Sequence, residues 1–538
     1  MTNKWNVSLD ENGALRDEEA YKLFNQGASA WNDFMEQYPE TDVDFSHFDF
    51  SRYYDLDKID FSGFQFPKET SFAHTNFGNN CVLFVDVKIG DDYVSFEHAN
   101  FGYGDISFDF AQFGNGNISF YQANFSNGNV SFIDTTFGKG KIVFNQASFG
   151  DGNVSFRQAS FGDGGEVSFE HASFGDGKVS FEKASFGDGN VSFHQANFGT
   201  SEVWFKDVEF GNGKVLFNYA KFDNGSVSFY QANFGSDEVS FSNTKFGGCE
   251  VIFRWTKFSD CIISFNNIQC ESLDFSYSSF AQSNSSKKPE ITFSMERAHI
   301  SQSLLLPNLN FRAFSNVTFR GSYLGTLLDI EGCRFSQLPD LTATTINGHF
   351  SVDRLHVDEP KQIKESDSTK ARRLKELAKK AEDRQTQLDM LAFELDAMTA
   401  TKQIPFLSRL LNRIYKLISN YGRSISRPFL GLILVWAVCG CVYIGASETE
   451  SPTMDAFQLS FSQSLPFLSW SRTVKETSLM ALYDTEKAKA AITQENSATG
   501  QNLPLNNDLL ENVGLIQNLF SYILLFFLGL GIRNRFKL

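Results

Sequence analysis

Between residues 72 and 265 apolar and polar positions return in a unit of twelve residues, of which VSFEKASFGDGN (179–190) is typical. Its first anchor is Phe96, Phe108, Phe120, Phe132 or Phe144 in successive units, and a second anchor follows five residues later at Phe101, Phe113, Phe125, Phe137 and Phe149. Two residues before the second anchor stands a small side chain, usually Ala, as at Ala99, Ala111, Ala123 and Ala147. One inserted residue near Gly165 shifts the register between Phe156 and Phe169. Strands alternate faces with period two. Val94 and Phe96 therefore share a face, as do Ala99 and Phe101, while Ser95 and Asn100 point outward. A helix would need sustained spacings of three and four, and the Gly-Asp-Gly-Asn segments would break it each time. The pattern predicts short strands stacked into a solenoid with an interior ladder of Phe. One unit is too short to enclose two Phe, so two units are expected per coil. No unit can fold alone, so stability must come from its neighbours.

The spacing Phe-x-x-Ala-x-Phe resembles the pentapeptide repeat, in which a central apolar residue recurs every five with a small residue two before it. DVDFSHFDFS (42–51) and LDFSYSSF (273–280) match the plain five-residue spacing. GASAWNDFMEQYPETDVDFSHFDF (27–50) is similar to the N-terminal region of many bacterial members. The resemblance covers 45–280 strongly and 281–355 weakly. It implies a mainly β chain folded as a right-handed, four-sided β-helix. The Gly turns at 150–152, 162–164, 175–177 and 187–189 read as turns with Gly at positive φ rather than as calcium-binding repeats, whose period is nine.

The remaining segments switch period. Residues 18–38 carry Leu23, Phe24, Trp31, Phe34 and Met35 near helical spacing and predict an amphipathic capping helix within 1–41. The solenoid is assigned to 42–355, with strand character persisting late at Ala298 and Ile300, Val317 and Phe319, and Phe350 and Val352. Within a helical linker, 356–425, Leu374, Leu377, Ala381, Leu388, Leu391, Leu395 and Met398 follow a heptad seam interrupted by Arg384. That seam fits a coiled coil or a helix packed on its own chain. FLSRLLNRIYKLIS (406–419) predicts a basic amphipathic helix on the inner leaflet of a membrane.

The domain 426–538 holds two apolar segments, 428–446 and 515–532, each long enough to cross a hydrocarbon core of ~30 Å. Lys402, Arg409, Arg413, Lys416, Arg423 and Arg427 precede the first; Arg533, Arg535 and Lys537 follow the second. The intervening loop, 447–512, has nine acids and four bases. The positive-inside rule then puts both termini in the cytoplasm and the loop outside. FQLSFSQSLPFLSW (457–470) is too short to span and reads as re-entrant or interfacial. Two spans around a short re-entrant helix resemble simple cation channels, although the Thr-Val-Gly-Tyr-Gly filter is not found. Gln458, Ser462, Gln463, Ser464, Gln517 and Asn518 would then line a pore.

Composition sharpens this picture in three places. The 59 Phe among 538 residues fit a repeat that reuses one core position. A net charge of -17 argues against nucleic acid as a partner, which needs a basic surface. All seven Cys read as small buried residues in a reducing compartment, and the polar N-terminus has no apolar leader segment. No cofactor or metal is expected. His98, His171 and His194 fall on outward positions of separate units, and no pair of carboxylates is singled out as catalytic. Together these features predict a non-enzymatic protein of the bacterial inner membrane, in contact with lipid and with an unidentified protein partner. Its cytoplasmic solenoid would be a binding or assembly scaffold. The alternative is a homo-oligomeric channel or pore-forming effector, in bacterial defence for example, gated by the solenoid.

Overall fold

Val94 and Ser95 pair in parallel with Ile118 and Ser119, which in turn pair with Ile142 and Val143, so the backbone returns to the same side after two repeat units. The computed structural model describes residues 4–53, 58–235, 237–259, 261–280, 291–358, 362–447, 449, 452–465, 468–482 and 508–536. They form two compact units, Met1–Gln362 and Ile363–Leu538. The first is a parallel β-solenoid of about 14 turns. Three sides are sheets of 13, 15 and 10 strands, and the fourth is a column of single bridges running Asn76, Asn100, Asn124, Ser148. The residue inserted near Gly165 is absorbed locally. Ile142 pairs with Val167 and Ser160 with Ser185, each one position further along the chain than two regular units, and the regular spacing resumes at Val167 and Val191.

From Phe96 to Phe258 each coil places four Phe inside, one per side. Phe96 stacks on Phe120, Phe101 on Phe125 and Phe108 on Phe132, all with centroids 4.8 Å apart; Phe113 lies 5.0 Å from Phe137. Columns also meet edge to face, as at Phe96 and Phe108, 5.5 Å and 86°. Each buried ring contributes roughly 1.5–3 kcal/mol of transfer free energy, and each aromatic pair about 0.5–1.5 kcal/mol more. Where Thr replaces the small Ala, its buried hydroxyl donates to a Phe carbonyl of the preceding coil: Thr135 to Phe108 at 2.8 Å and Thr244 to Phe217 at 2.7 Å.

The turns differ from expectation in where the left-handed residue falls. In each unit it is the residue before the small one, as at His98 (φ 57), Gln122 (φ 54) and Gln146 (φ 59). Ala99 N–H closes that turn on the Phe96 carbonyl at 3.2 Å, with the left-handed φ at the third position that type II turns need. A non-Gly residue is strained there by about 1–2 kcal/mol, but its N–H is used: His98 N donates to Tyr121 O at 2.9 Å. Of the Gly-Asp-Gly segments, Gly150, Gly164 and Gly175 have positive φ, whereas Gly187 and Gly189 do not. The wider reason for Gly is close approach between coils. A Cβ on Gly152 would lie 2.0 Å from the Gly128 carbonyl oxygen, and one on Gly189 1.7 Å from that of Gly165.

The N-terminal segment is two helices, α1 (Asp17–Phe24) and α2 (Gly27–Gln37), rather than one. Gly27, at φ 83, turns the chain between them. α2 covers the first coil: Trp31 Nε1 donates to the Gln65 carbonyl at 2.9 Å and its ring packs on Phe64 and Phe66. Leu23, Phe24, Phe34 and Met35 are buried beside it. In the late coils Leu304, Leu324 and Leu328 replace Phe in the interior, and the strands lengthen to His299–Leu305. Residues 281–290, assigned to the solenoid on sequence, lie outside the described residues.

The cysteines do not all behave alike. Cys249, Cys261, Cys270 and Cys333 are buried in the solenoid, where burial pushes the Cys249 and Cys333 thiols up to about 12. Cys81 and Cys441 are exposed and Cys439 is half-buried. Cys81 opens the strand Cys81–Leu83 on an outward position, which overrides the tendency of a free Cys to be buried.

The second unit is helical. The heptad segment is broken into α3 (Asp367–Lys380) and α4 (Arg384–Ala400), packed on each other as a hairpin. Glu382 at φ 59 ends α3, and Asp383 caps α4 by accepting from Thr386 N–H. One continuous heptad helix is therefore ruled out. Leu374, Leu377, Met390 and Ala397 are buried between the two, whereas Leu388, Leu391 and Leu395 are only half-buried. Glu394 is buried there too and accepts from Arg372 and Lys375. α5 (Phe406–Ser419) leads into α6 (Ser426–Gly445), followed by α7 (Thr453–Ser464), α8 (Ser469–Leu482) and α9 (Asp508–Phe536). Of the segment assigned as the external loop, 483–507 with 448, 450, 451, 466 and 467 lie outside the described residues, as does Lys537.

Candidate functional site

α6 and α9 are long and apolar enough to cross a membrane: Ser426–Gly445 has a mean hydropathy of 2.1 and Asn512–Phe536 one of 1.9. Only 17% and 22% of those windows are buried, whereas the core helix of a soluble protein is mostly buried. Phe429, Leu430, Leu434 and Val438 on α6, and Leu519, Phe520 and Phe526 on α9, face outward. The two run antiparallel. Asn534 at the end of α9 donates to the Gly422 carbonyl before α6 at 3.1 Å, Gly431 faces Leu524, and Tyr443 meets Gln517.

α7 packs against both. Gly440 of α6 lets it approach: a Cβ there would sit 2.4 Å from Cδ1 of Phe457. Trp436 Nε1 donates to the Phe457 carbonyl at 3.0 Å, and Ser460 Oγ donates back to the Trp436 carbonyl at 2.7 Å. The centre of this packing is polar. Gln517 Nε2 lies within hydrogen-bonding distance of Ser460 O (2.7 Å), Ser460 Oγ (2.9 Å) and Ser464 Oγ (2.9 Å). Its Oε1 accepts from the Tyr443 hydroxyl at 3.1 Å. One amide thus joins α6, α7 and α9.

The six polar residues named from sequence separate accordingly. Ser462, Gln463, Ser464 and Gln517 are buried inside one chain; Asn518 is half-buried, with no partner for its Oδ1 among the described residues; Gln458 is exposed. Ser462 Oγ donates to the Leu459 carbonyl and Ser464 Oγ to that of Ser460, so both hydroxyls are used within α7. Tyr443 and Ser460 belong to the same cluster and were not singled out from sequence. A lone Tyr in an apolar run and a Ser one turn from others carry no distinguishing signal until the helices are placed side by side.

On the solenoid, the ten Phe named from sequence are all in the interior columns. The outward face is tied coil to coil. Asn124 Nδ2 donates to Asn100 Oδ1 at 3.4 Å and Asn100 Nδ2 to Asn76 Oδ1 at 3.3 Å. Ser119 Oγ donates to Glu97 at 2.7 Å and Ser192 Oγ to Glu170 at 2.9 Å, which leaves these Ser buried rather than openly exposed. Histidines are closer than the sequence suggested. His47, His74 and His98 stack on successive coils with centroids 4.6 and 4.5 Å apart, and His171 lies 6.2 Å from His194. Desolvation, then the charges of His98 and His47, hold the His74 imidazole below its usual pKa.

Among the described residues no three His, Cys, Asp or Glu side chains converge to hold a metal ion. No known family model matches the chain, and no curated protein is significantly similar to it.

Proposed function

We propose that the chain is a non-enzymatic protein of the bacterial cytoplasmic membrane, a pentapeptide-repeat relative whose solenoid is a cytoplasmic binding or assembly scaffold. The observation that carries this reading is the inverted polarity of the helical unit. Large apolar side chains of α6 and α9 face outward while Gln517, Ser460, Ser464 and Tyr443 bond to one another inside. That arrangement suits a hydrocarbon solvent, in which polar groups must be satisfied internally. Arg427 in the first turn of α6 and Arg533 and Arg535 in the last turn of α9 support a cytoplasmic location for both ends. The five-residue spacing between the Phe anchors supports the family reading. A rigid, regular outer face whose polar side chains already bond along the coils supports a scaffold rather than a catalyst.

The alternative, an oligomeric pore, is favoured by one observation: Gln458 is an exposed polar residue on a short helix packed against two apolar ones. Against it stand Ser462, Ser464 and Gln517, whose hydrogen bonds are made within a single chain. Alkaline carbonate extraction of membranes carrying the full chain tests the anchor; release into the supernatant would refute it. Photo-crosslinkers at the outward positions Gln146 and Gln158 test the scaffold. A discrete, saturable adduct is expected, and none at any concentration of cell extract would count against it. Steady conductance of the purified protein in planar bilayers would instead establish the pore.

A further inference from the structure

α5 divides into three sectors when its residues are set at about 100° each. One sector packs on the protein. Asn412 donates to Thr399 Oγ1 at 3.2 Å, the Tyr415 ring stacks 5.3 Å from Phe527, and Ser419 is buried. A second sector holds Arg409, Arg413 and Lys416. The third holds Phe406, Leu407, Leu410, Leu411, Ile414 and Leu417, each between 42% and 76% exposed. Six large apolar side chains on one open face, beside a cationic strip, are the make-up of a helix lying in a bilayer interface.

The cationic strip continues beyond α5. Asn534 donates to the Gly422 carbonyl and accepts from Arg384, which sets the end of α9 against the corner between α5 and α6. Arg533 and Arg535 flank that Asn534, and Arg427 opens α6 with its guanidinium bonded to the Lys416 carbonyl at 3.1 Å. The start of one apolar helix, the end of the other and α5 therefore share one level. Lys416 pairs with Asp396 and Arg423 with Asp389. Among the described residues no carboxylate pairs with Arg413, Arg427, Arg533 or Arg535.

We propose that α5 and these arginines form an interfacial collar that binds the headgroups of anionic phospholipids, with the six apolar side chains set at the acyl-chain boundary. This rests on reading α6 and α9 as membrane spans. The occupant follows from charge complementarity and from continuity with the outward apolar faces of α6 and α9. Unpaired cations at that depth meet phosphate, and an anionic lipid supplies it with a net charge that a zwitterionic one lacks.

The test uses the full chain in phosphatidylcholine vesicles with trace nitroxide-labelled phosphatidylglycerol or phosphatidylcholine. Electron paramagnetic resonance reads the motionally restricted fraction of each probe. The glycerol lipid should be restricted about two- to three-fold more than the choline lipid, and salt should reduce the preference. Arg413→Gln, Arg427→Gln and Arg535→Gln together should bring the ratio near unity, while Lys at the same three positions keeps it and controls for misfolding. Carbonate extraction of the same vesicles separates the two readings. Protein that is extracted overturns the membrane reading and the collar with it. Protein that stays but restricts both probes equally overturns the collar alone. A dimer whose contact covers α5, with no lipid preference, overturns it too and makes a second copy the occupant.

Discussion

The ring of Phe120 lies 4.8 Å from that of Phe96 with the planes 3° apart, although two full repeat units separate them along the chain. The same relation recurs from Phe144 to Phe169 at 4.7 Å and 1°, across the coil that carries the inserted residue. The insertion is taken up at the Gly164 turn, where a Cβ would meet nothing within 4 Å, and the interior column passes it undisturbed. Core packing sets the coil; the turns adapt.

Removing one ring should therefore be costly but local. Phe156 stacks on Phe132 and Phe181 and meets Phe144 edge to face. Phe156→Ala should lose about 3–5 kcal/mol. Neighbour-limited coupling predicts that amide hydrogen exchange accelerates in the coils next to residue 156 and stays slow in those near Phe61 and Phe253. Uniform acceleration along the solenoid would contradict the columnar account.

Two glycines should respond unequally to alanine. A Cβ at Gly152 would collide with the Gly128 carbonyl oxygen at 2.0 Å, whereas at Gly248 the nearest atom is 3.9 Å away. Gly152→Ala should destabilise by about 1–3 kcal/mol and Gly248→Ala by under about 0.5 kcal/mol, read from denaturant unfolding. Equal effects would remove close approach as the reason for the glycine turns.

The His47–His74–His98 column should weaken in acid. The folded-state pKa of His74 is depressed, first by desolvation and then by its stacked neighbours, so the neutral ring is the form that folding favours. The stability this supplies is present above the ordinary value of 6.5 and is lost as pH falls from there through the depressed folded value. Hydrogen-exchange protection in the first coils, corrected for the intrinsic rate at each pH, should fall as pH drops below 6.5, and His74→Gln should flatten that fall. An unchanged pH profile in the variant would show that another group is responsible.

Gln517 should act as a clamp. Gln517→Leu removes the Oε1 that accepts from the Tyr443 hydroxyl and the Nε2 donor at Ser464 in a buried setting. A loss of about 1–3 kcal/mol follows from removing these buried hydrogen bonds, tempered toward about 0.6 kcal/mol per bond for helices in lipid. Thermal unfolding in detergent should shift downward; an unchanged midpoint would mean that the three helices are held without it.

Much of this architecture was legible in the chain. The twelve-residue unit carried the inward positions, and counting the volume of two Phe gave two units per coil, the spacing seen between Val94 and Ile118. The residues of α5 were also legible, since 406–419 has a strong helical periodicity. Helix breaks were not. Gly27 and Glu382 each take positive φ; Gly27 and the interruption of the seam at Arg384 hinted at these places, but periodicity does not show that a single residue turns the chain. The clustered histidines were missed for a different reason. His47, His74 and His98 are far apart along the chain, and only the coil register makes them neighbours. The Gln517 cluster needed three helices from distant segments, so no local signal marked Tyr443 or Ser460.

The side of the membrane on which the solenoid lies is tested most directly at Cys81, an exposed thiol on the solenoid; Cys441, also exposed, belongs to the apolar α6. A membrane-impermeant maleimide applied to the full chain in a bacterial host should leave Cys81 unmodified in intact spheroplasts. It should label Cys81 in inverted vesicles, with the protein retained in the membrane fraction and Cys441 shielded by lipid. Labelling of Cys81 from outside intact spheroplasts would contradict a cytoplasmic solenoid tethered by α6 and α9.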